Sequence, residues 1–224
     1  MRRNLQTVGL KNVNLRLRAT LLSALALAAG LTAAAQGGDE TRLAAGIAAA
    51  FSEAEQVECH YAMERRVSLL ADAARDEGTL TFDRRGRTLT LASTATPGDS
   101  TIMTPAALTT VERGRRTTVE ARRVAALRQM TDLVAACFSG DFAAVRAAGT
   151  LEVDADARHT TARFTPRDRR VARHVDTIIL TFDNSDYALR QMEVRQKNGD
   201  FTLYRFGKPA ARQKVVPLRS VDRT

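Results

Sequence analysis

The chain has 224 residues, of which 44% are hydrophobic and 26% charged, and its formal net charge is +9. This composition excludes wholesale disorder, and the length is typical of one domain with a substantial core or of two small ones. Aromatic residues make up only 5% and Trp is absent. A nucleic-acid-binding surface with interleaved stacking side chains is therefore not indicated, and we expect no nucleic-acid partner.

The N-terminus has the three-part pattern of a secretory signal. Basic residues are followed by an apolar run over residues 19–31, and then by the small residues Ala33 and Ala35 at a cleavage site. The apolar run is too short to span a bilayer and remain there. We predict that residues 1–35 are a signal peptide and that residues 36–224 form a single domain, exported to the periplasm and soluble after cleavage.

Signal removal also changes the charge. The five basic residues of the signal are removed with it. The mature chain then has 29 Lys and Arg and 25 Asp and Glu, which gives a net charge of about +4. Arginine clusters remain within 84–87, 113–123 and 167–173. We interpret them as solvated loops and turn flanks, with docking on acidic partners or anionic head groups as the alternative.

The mature chain has two cysteines, Cys59 and Cys137. An even number in an oxidising compartment permits one disulfide. Both residues also fall on apolar periodic faces, as buried inert thiols would. Both possibilities remain open at this point.

The segment after the signal changes from helical to strand periodicity. Apolar residues recur at every fourth position from Leu43 to Phe51, which predicts a helix, and alternate from Val57 to Met63, which predicts a strand. The next stretch predicts a hairpin that turns at 84–86, with Leu80 and Phe82 facing Leu89 and Leu91. A further strand around Ile102 and a hairpin turning at 112–114 follow.

The longest helical pattern spans Ala121–Phe138, and Gly140 is placed to end it. The chain then returns to strands from Leu151 onward, with a hairpin turn at 183–186 and another turn at 198–200; residues 167–174 are compatible with one helical turn. These elements predict a single α+β domain with antiparallel strands and helices segregated onto one side.

Catalytic and metal-binding patterns were not found. His60, His159 and His174 are far apart and lack local ligand spacing. The Pro-Gly-Asp-Ser stretch ending at Ser100 faintly resembles the start of some lipases, but it is also ordinary turn chemistry. We expect no enzyme, no metal and no cofactor, with a hydrolase based on Ser100 as the weakest alternative.

The order of these segments resembles the periplasmic outer-membrane lipoprotein carrier family (LolA-like proteins), particularly its shorter members from Bacteroidales-like bacteria. The resemblance covers Glu40–Phe206 and is carried by GTLTF, TLTLASTATP, VAALRQMTDLVAACFSGDF, ILTFD and VRQKNGDFTLYRF. The family's Arg-Trp pair after its second strand is Thr90-Leu91 here, and Arg87 in the turn is the nearest arginine.

The resemblance implies an incomplete antiparallel β-barrel, a strongly curved sheet with helices covering its concave face. It also implies an apolar cavity between sheet and helices that accepts lipid acyl chains. The candidate lining residues are Tyr61, Met63, Leu80, Phe82, Leu89, Leu91, Ile102, Leu127, Met130, Leu133, Leu180, Phe182, Met192 and Val194.

The implied function is that of a monomeric lipoprotein-transport chaperone in outer-membrane biogenesis. Its partners would be acylated lipoproteins, an inner-membrane lipoprotein-release complex and an outer-membrane acceptor. The alternative is an envelope-stress sensor, or another lipid-binding regulatory protein, on the same half-barrel fold.

Overall fold

The structure is a computed structural model that describes residues 37–68, 72–121 and 125–212. The predicted signal peptide lies outside the described residues. Within them, twelve strands and three helices are present. The strands are β1 (Gln56–Arg66), β2 (Ala74–Asp83), β3 (Thr88–Ser93), β4 (Ser100–Met103), β5 (Ala107–Glu112), β6 (Arg115–Glu120), β7 (Gly149–Ala155), β8 (His159–Pro166), β9 (Thr177–Asp183), β10 (Leu189–Arg195), β11 (Phe201–Phe206) and β12 (Ala210–Arg212). The helices are α1 (37–50), α2 (Ala125–Ser139) and α3 (Ala143–Ala148).

All strands belong to one antiparallel sheet, in the order β6-β5-β4-β3-β2-β1-β11-β10-β9-β8-β7. The short strand β12 pairs with the beginning of β1, beside the position where β11 pairs with its end. The two ends of this order, β6 and β7, are not paired with each other. The fold is therefore an incomplete, curved half-barrel with helices, as the resemblance of the sequence predicted.

Side chains alternate across the sheet, as strand geometry requires. In β9, Ile178, Leu180 and Phe182 are buried, while the residues between them are only partly covered. In the hairpin of β2 and β3, Leu80 lies opposite Leu91 and Phe82 opposite Leu89, which confirms the predicted pairing. The alternating pattern thus gives the sheet one buried, apolar face, which we call the dry face.

The helices cover this dry face. Leu43 and Ile47 of α1 are almost completely buried, and so is Leu133 of α2. The ring of Phe138 on α2 packs edge-on against Phe51, with ring centroids 5.9 Å apart. Helices and sheet therefore share one hydrophobic core, formed by the apolar stripe of each helix and alternate strand positions.

The junction between α1 and β1 is held by the β2–β3 turn. The guanidinium of Arg84 donates hydrogen bonds to the backbone carbonyls of Ser52 and Ala54 at 3.3 and 3.2 Å, and also to the carbonyl of Phe51. Carbonyls beyond the end of a helix have no intrahelical partner, and a basic side chain can satisfy them. Arg84, one of the clustered arginines, is therefore a structural residue.

Two elements were not predicted from the sequence, the short helix α3 and the short strand β12. The single helical turn expected within 167–174 is confirmed, because the amide of Ala172 bonds to the carbonyl of Asp168 at 2.9 Å. The hairpin turns within 112–114 and 183–186 are also confirmed. Among the described residues, no helix is both long and apolar enough to cross a membrane.

Candidate functional site

The predicted lining residues fall mainly into the packed core. Four of them are half-buried and pack against the core cluster rather than belonging to its centre, namely Met63, Leu91, Met130 and Val194. Eight are buried members of that cluster: Tyr61, Leu80, Phe82, Leu89, Leu133, Leu180, Phe182 and Met192. Their proposed contact with lipid remains a prediction.

The remaining two predicted lining residues are Ile102 and Leu127. Ile102 lies opposite Thr90, whereas Met103 lies opposite the buried Leu89. Directly opposed residues share one face of a sheet, so Ile102 is on the face away from the core and Met103 is on the core face. Leu127 belongs to α2, and its side chain lies outside the described part of the structure.

A cavity of about 320 Å³ lies over the strands at one end of the dry face. We call it the sheet cavity. All of its described lining residues come from strands β1–β5 and β11 and from the β3–β4 loop, and none comes from a helix. They are Tyr61, Met63, Arg75, Asp76, Leu91, Ser93, Ala95, Thr96, Asp99, Ser100, Thr101, Val111, Glu112 and Tyr204.

The base of the sheet cavity contains a hydrogen-bonded polar group. The hydroxyl of Tyr61 donates to one carboxylate oxygen of Asp76 at 2.7 Å, and the hydroxyl of Ser93 donates to the other at 2.6 Å. Burial raises the pKa of Tyr61 far above its ordinary value, and the hydrogen bond to Asp76 adds to this effect. Tyr61 therefore remains a hydrogen-bond donor to Asp76.

The sequence prediction identified Tyr61 but missed Asp76, Ser93 and Tyr204. A signal for Asp76 was present. Counted in steps of two along β2, Asp76 falls on the same face as Gly78, Leu80 and Phe82. A carboxylate on an apolar face is unusual, since burial of a charge is costly unless it is hydrogen-bonded. Ser93 and Tyr204 become visible only through strand pairing.

A second cavity of about 470 Å³ adjoins the first. It shares Met63, Arg75, Asp76 and Ala95 with the sheet cavity and extends to the exposed residue Arg205. Each of the two cavities has a volume within the usual range of small-ligand sites, about 300–1,000 Å³. This end of the sheet therefore has room for a ligand.

A third cavity of about 340 Å³ lies between the β2–β3 turn and the helices α2 and α3. Phe82 lies on its wall, beside an ion pair between Arg87 and Asp132. A guanidinium nitrogen of Arg87 is 3.0 Å from a carboxylate oxygen of Asp132. The expected apolar space between sheet and helices is thus represented here by a cavity with a charged wall. Arg87, which the resemblance singled out, connects the turn to α2.

Cys59 and Cys137 are both buried and not bonded to each other. Burial raises the pKa of Cys59 to about 11 and that of Cys137 to about 12. The thiol of Cys137 donates to the carbonyl of Leu133 at 3.3 Å. Of the two possibilities that the sequence left open, the structure has the pair of buried thiols.

Other candidate groups do not form a site within the described residues. No group of three or more His, Cys, Asp and Glu side chains there is arranged to hold a metal ion. Ser100 lines the sheet cavity, but none of the three histidines does. The Ser-His pairing that a serine nucleophile commonly requires is therefore not present in the described lining.

An open half-barrel with helices on its dry face and cavities at one end is the class of structure that these observations define. No protein-family model matches the chain, and no curated protein sequence matches it. Solved structures with a similar course of the chain include a LolA superfamily protein from Nitrosomonas europaea, with 9% identity and a TM-score of 0.37 over 76% of this chain and 94% of that one.

Two further solved structures are similar to the chain. An uncharacterised conserved protein from Thermus thermophilus has 5% identity and a TM-score of 0.47 over 78% of this chain and 88% of that one. A domain assigned to outer membrane lipoprotein sorting, from Vibrio parahaemolyticus, has 8% identity and a TM-score of 0.43 over 76% and 91% of the two chains. Identities and TM-scores at this level do not establish a family.

Proposed function

We propose that this protein is a non-enzymatic periplasmic carrier that binds the acyl chains of lipoproteins and shuttles them toward the outer membrane. The observation that carries the proposal is the pair of adjoining cavities on an open half-barrel. Met63 and Leu91, both half-buried, present aliphatic surface there beside the rings of Tyr61 and Tyr204. The predicted export signal supports a periplasmic location.

The physical need for such a carrier follows from the hydrophobic effect. Each CH₂ group removed from water contributes about 0.8 kcal/mol, so a lipoprotein with several acyl chains does not cross an aqueous space unaided. Non-directional contacts with flexible side chains such as Met63 impose no single ligand pose. They would allow binding and release of chains that differ in length.

The open edge of the sheet suits a protein that must enlarge its cavity. Because β6 and β7 are not paired with each other, the two ends of the sheet are not joined by hydrogen bonds. A closed barrel would have to break such bonds before its interior could widen. We infer that acyl chains enter at the sheet cavity and displace neighbouring half-buried side chains.

Lipid extraction tests the proposal. The mature protein, purified from a native-like host under gentle conditions, should carry lipid or lipoprotein that mass spectrometry detects, and a deletion strain should mislocalise lipoproteins. If the purified protein is free of lipid and lipoprotein sorting is normal in the deletion strain, the proposal is wrong. A lipid-free protein in stable complex with a membrane-bound regulator would instead favour the envelope-stress sensor.

A matched pair of variants links the extraction to the cavity. Leu91→Glu places a charge in the sheet cavity and should abolish co-purification of lipid, since acyl chains do not pack against a carboxylate. Thr90→Glu places the same charge on the opposite face of the same strand and should leave lipid binding unchanged. Equal lipid content in both variants would exclude the sheet cavity as the binding site.

A further inference from the structure

The sheet cavity has an acidic lining although the chain as a whole is basic. Among its described lining residues, three carry a carboxylate, Asp76, Asp99 and Glu112, and one carries a guanidinium, Arg75. Glu112 is exposed, and Asp76 and Asp99 are half-buried. The formal charge of the full chain is +9. A cleft lined by one sign of charge attracts ligands of the other sign.

The strand register places Asp76 and Tyr204 on either side of Met63. Met63 lies opposite Asp76 on β2 and opposite Tyr204 on β11, so the three side chains form one row across the dry face. Within the described residues, each oxygen of Asp76 accepts one side-chain hydrogen bond, from Tyr61 or from Ser93. Because a carboxylate can accept about four in all, acceptor capacity remains for a ligand.

The hydroxyl of Tyr204 also has unused capacity. Within the part of the chain that the structure describes, it makes no hydrogen bond, although its ring is held by Tyr61 and Phe206 at centroid distances of 6.4 and 6.2 Å. Burial and the nearby Asp76 raise the pKa of Tyr204. A protonated phenol and a carboxylate with open acceptor sites thus flank the aliphatic side chain of Met63.

We propose that the sheet cavity binds the polar end of an amphipathic acyl ligand through Asp76 and Tyr204, and that it selects polar groups that donate hydrogen bonds and carry no negative charge. Hydroxyl and amine groups belong to this class, and phosphate does not. The acyl chain would lie against Met63 and Leu91. This inference rests on the proposed function, which it deepens by naming the chemistry of the ligand's polar end.

The selectivity has an electrostatic cause. A hydrogen bond from a hydroxyl or ammonium group to an ionised carboxylate is stronger than one between neutral groups. A phosphate in the same place would meet Asp76 at close range, with Asp99 and Glu112 elsewhere in the lining. Repulsion between like charges about 4 Å apart weakens binding by roughly fivefold to several hundredfold, at the dielectric constants of water and of a protein surface respectively.

Three single-chain probes of equal chain length test the inference: monolauroylglycerol, laurylamine and lauryl phosphate. Titration calorimetry of the mature, delipidated protein below the micellar concentration of each probe should show lauryl phosphate binding at least roughly fivefold more weakly than monolauroylglycerol. Stronger binding of laurylamine than of monolauroylglycerol would show that charge adds to the hydrogen bond. Equal or tighter binding of lauryl phosphate would overturn the inference and leave the acyl carrier intact.

Variants assign the selectivity to the named residues. Asp76→Asn should reduce the preference for monolauroylglycerol over lauryl phosphate to less than about threefold. The control is Asp154→Asn, the same change on the exposed side of the distant edge strand β7, which should leave this preference unchanged. If Asp76→Asn does not fold, Tyr204→Phe provides the test: it should weaken the binding of monolauroylglycerol and laurylamine and leave that of lauryl phosphate unchanged. If no probe binds, both the inference and the proposed function are wrong.

Discussion

Phe82 on β2 and Phe138 on α2 stack face to face, with ring centroids 4.7 Å apart and ring planes inclined by 19°. Phe138 also contacts Phe51, just after α1. The same ring therefore connects both long helices to the centre of the sheet. Large buried side chains in such positions dominate the stability of a core.

We expect Phe138→Ala to lower the free energy of unfolding by about 3–5 kcal/mol, because the substitution leaves a cavity that the surrounding rings cannot fill. Urea denaturation monitored by circular dichroism measures the change. The matched control is Phe201→Ala, at a half-buried ring outside the core cluster, which should cost much less. Similar losses in the two variants would show that the contact between α2 and the sheet is not a main source of stability.

Gly140 ends α2 with φ of +74°, and its amide bonds to the carbonyl of Ala136 at 2.9 Å. A Cβ atom at this position would overlap the carbonyl oxygen of Ala44 on α1. Gly140→Ala should therefore cost more than about 2 kcal/mol, through backbone strain together with separation of the two helices.

The control for Gly140 is Gly199, whose φ is +87° and whose Cβ position is open. Gly199→Ala should cost only the backbone strain, about 1–2 kcal/mol. Thermal unfolding of both variants gives the comparison. If Gly140→Ala is no more destabilising than Gly199→Ala, the close approach of α1 and α2 is not required for stability.

The two buried thiols make the free energy of unfolding depend on pH in the alkaline range. In the unfolded chain they ionise near the ordinary pKa of 9.0, but in the folded protein burial keeps them protonated up to about pH 11 for Cys59 and 12 for Cys137. Their contribution is therefore complete below pH 9 and is lost as the pH rises toward 12. A Cys59→Ala, Cys137→Ala double variant should lose less stability across this interval in urea titrations.

The free thiols also have a chemical signature. Native protein should react slowly with iodoacetamide at neutral pH, because burial disfavours the thiolate that attacks. After denaturation without a reductant, both cysteines should be alkylated, as mass spectrometry can show. A protein that gains the two labels only after reduction would contain the disulfide that the structure lacks.

Asp183 makes the free energy of unfolding depend on pH in the acidic range. Hydrogen bonds from the hydroxyl and amide of Ser185, and then Arg190, lower the pKa of Asp183 to about 2 from an ordinary value of 3.8. Its contribution is present above pH 3.8 and is lost as the pH falls toward 2. Asp183→Asn should flatten the acid-unfolding curve in this interval, whereas the exposed Asp154→Asn should not. Identical curves for the wild type and Asp183→Asn would contradict this assignment.

The sequence by itself determined the elements and their dry faces. The alternation that places Leu180 and Phe182 together, and the fourth-residue spacing of Leu43 and Ile47, are local patterns that appear whenever one face of an element is buried. The positions of the hairpin turns followed for the same reason. Short elements such as α3 and β12 were missed, because so few residues show no measurable periodicity.

Only the tertiary structure decided which dry positions fill the core and which border a cavity. Leu80 and Leu91 lie opposite each other and look equivalent in the sequence, yet Leu80 is buried in the cluster and Leu91 borders the sheet cavity. Burial depends on what the other elements place above a residue, and no local pattern records that. The group of Asp76, Ser93 and Tyr204 arises likewise, since strand pairing brings β11, which carries Tyr204, beside the β1–β2–β3 region that carries the other two.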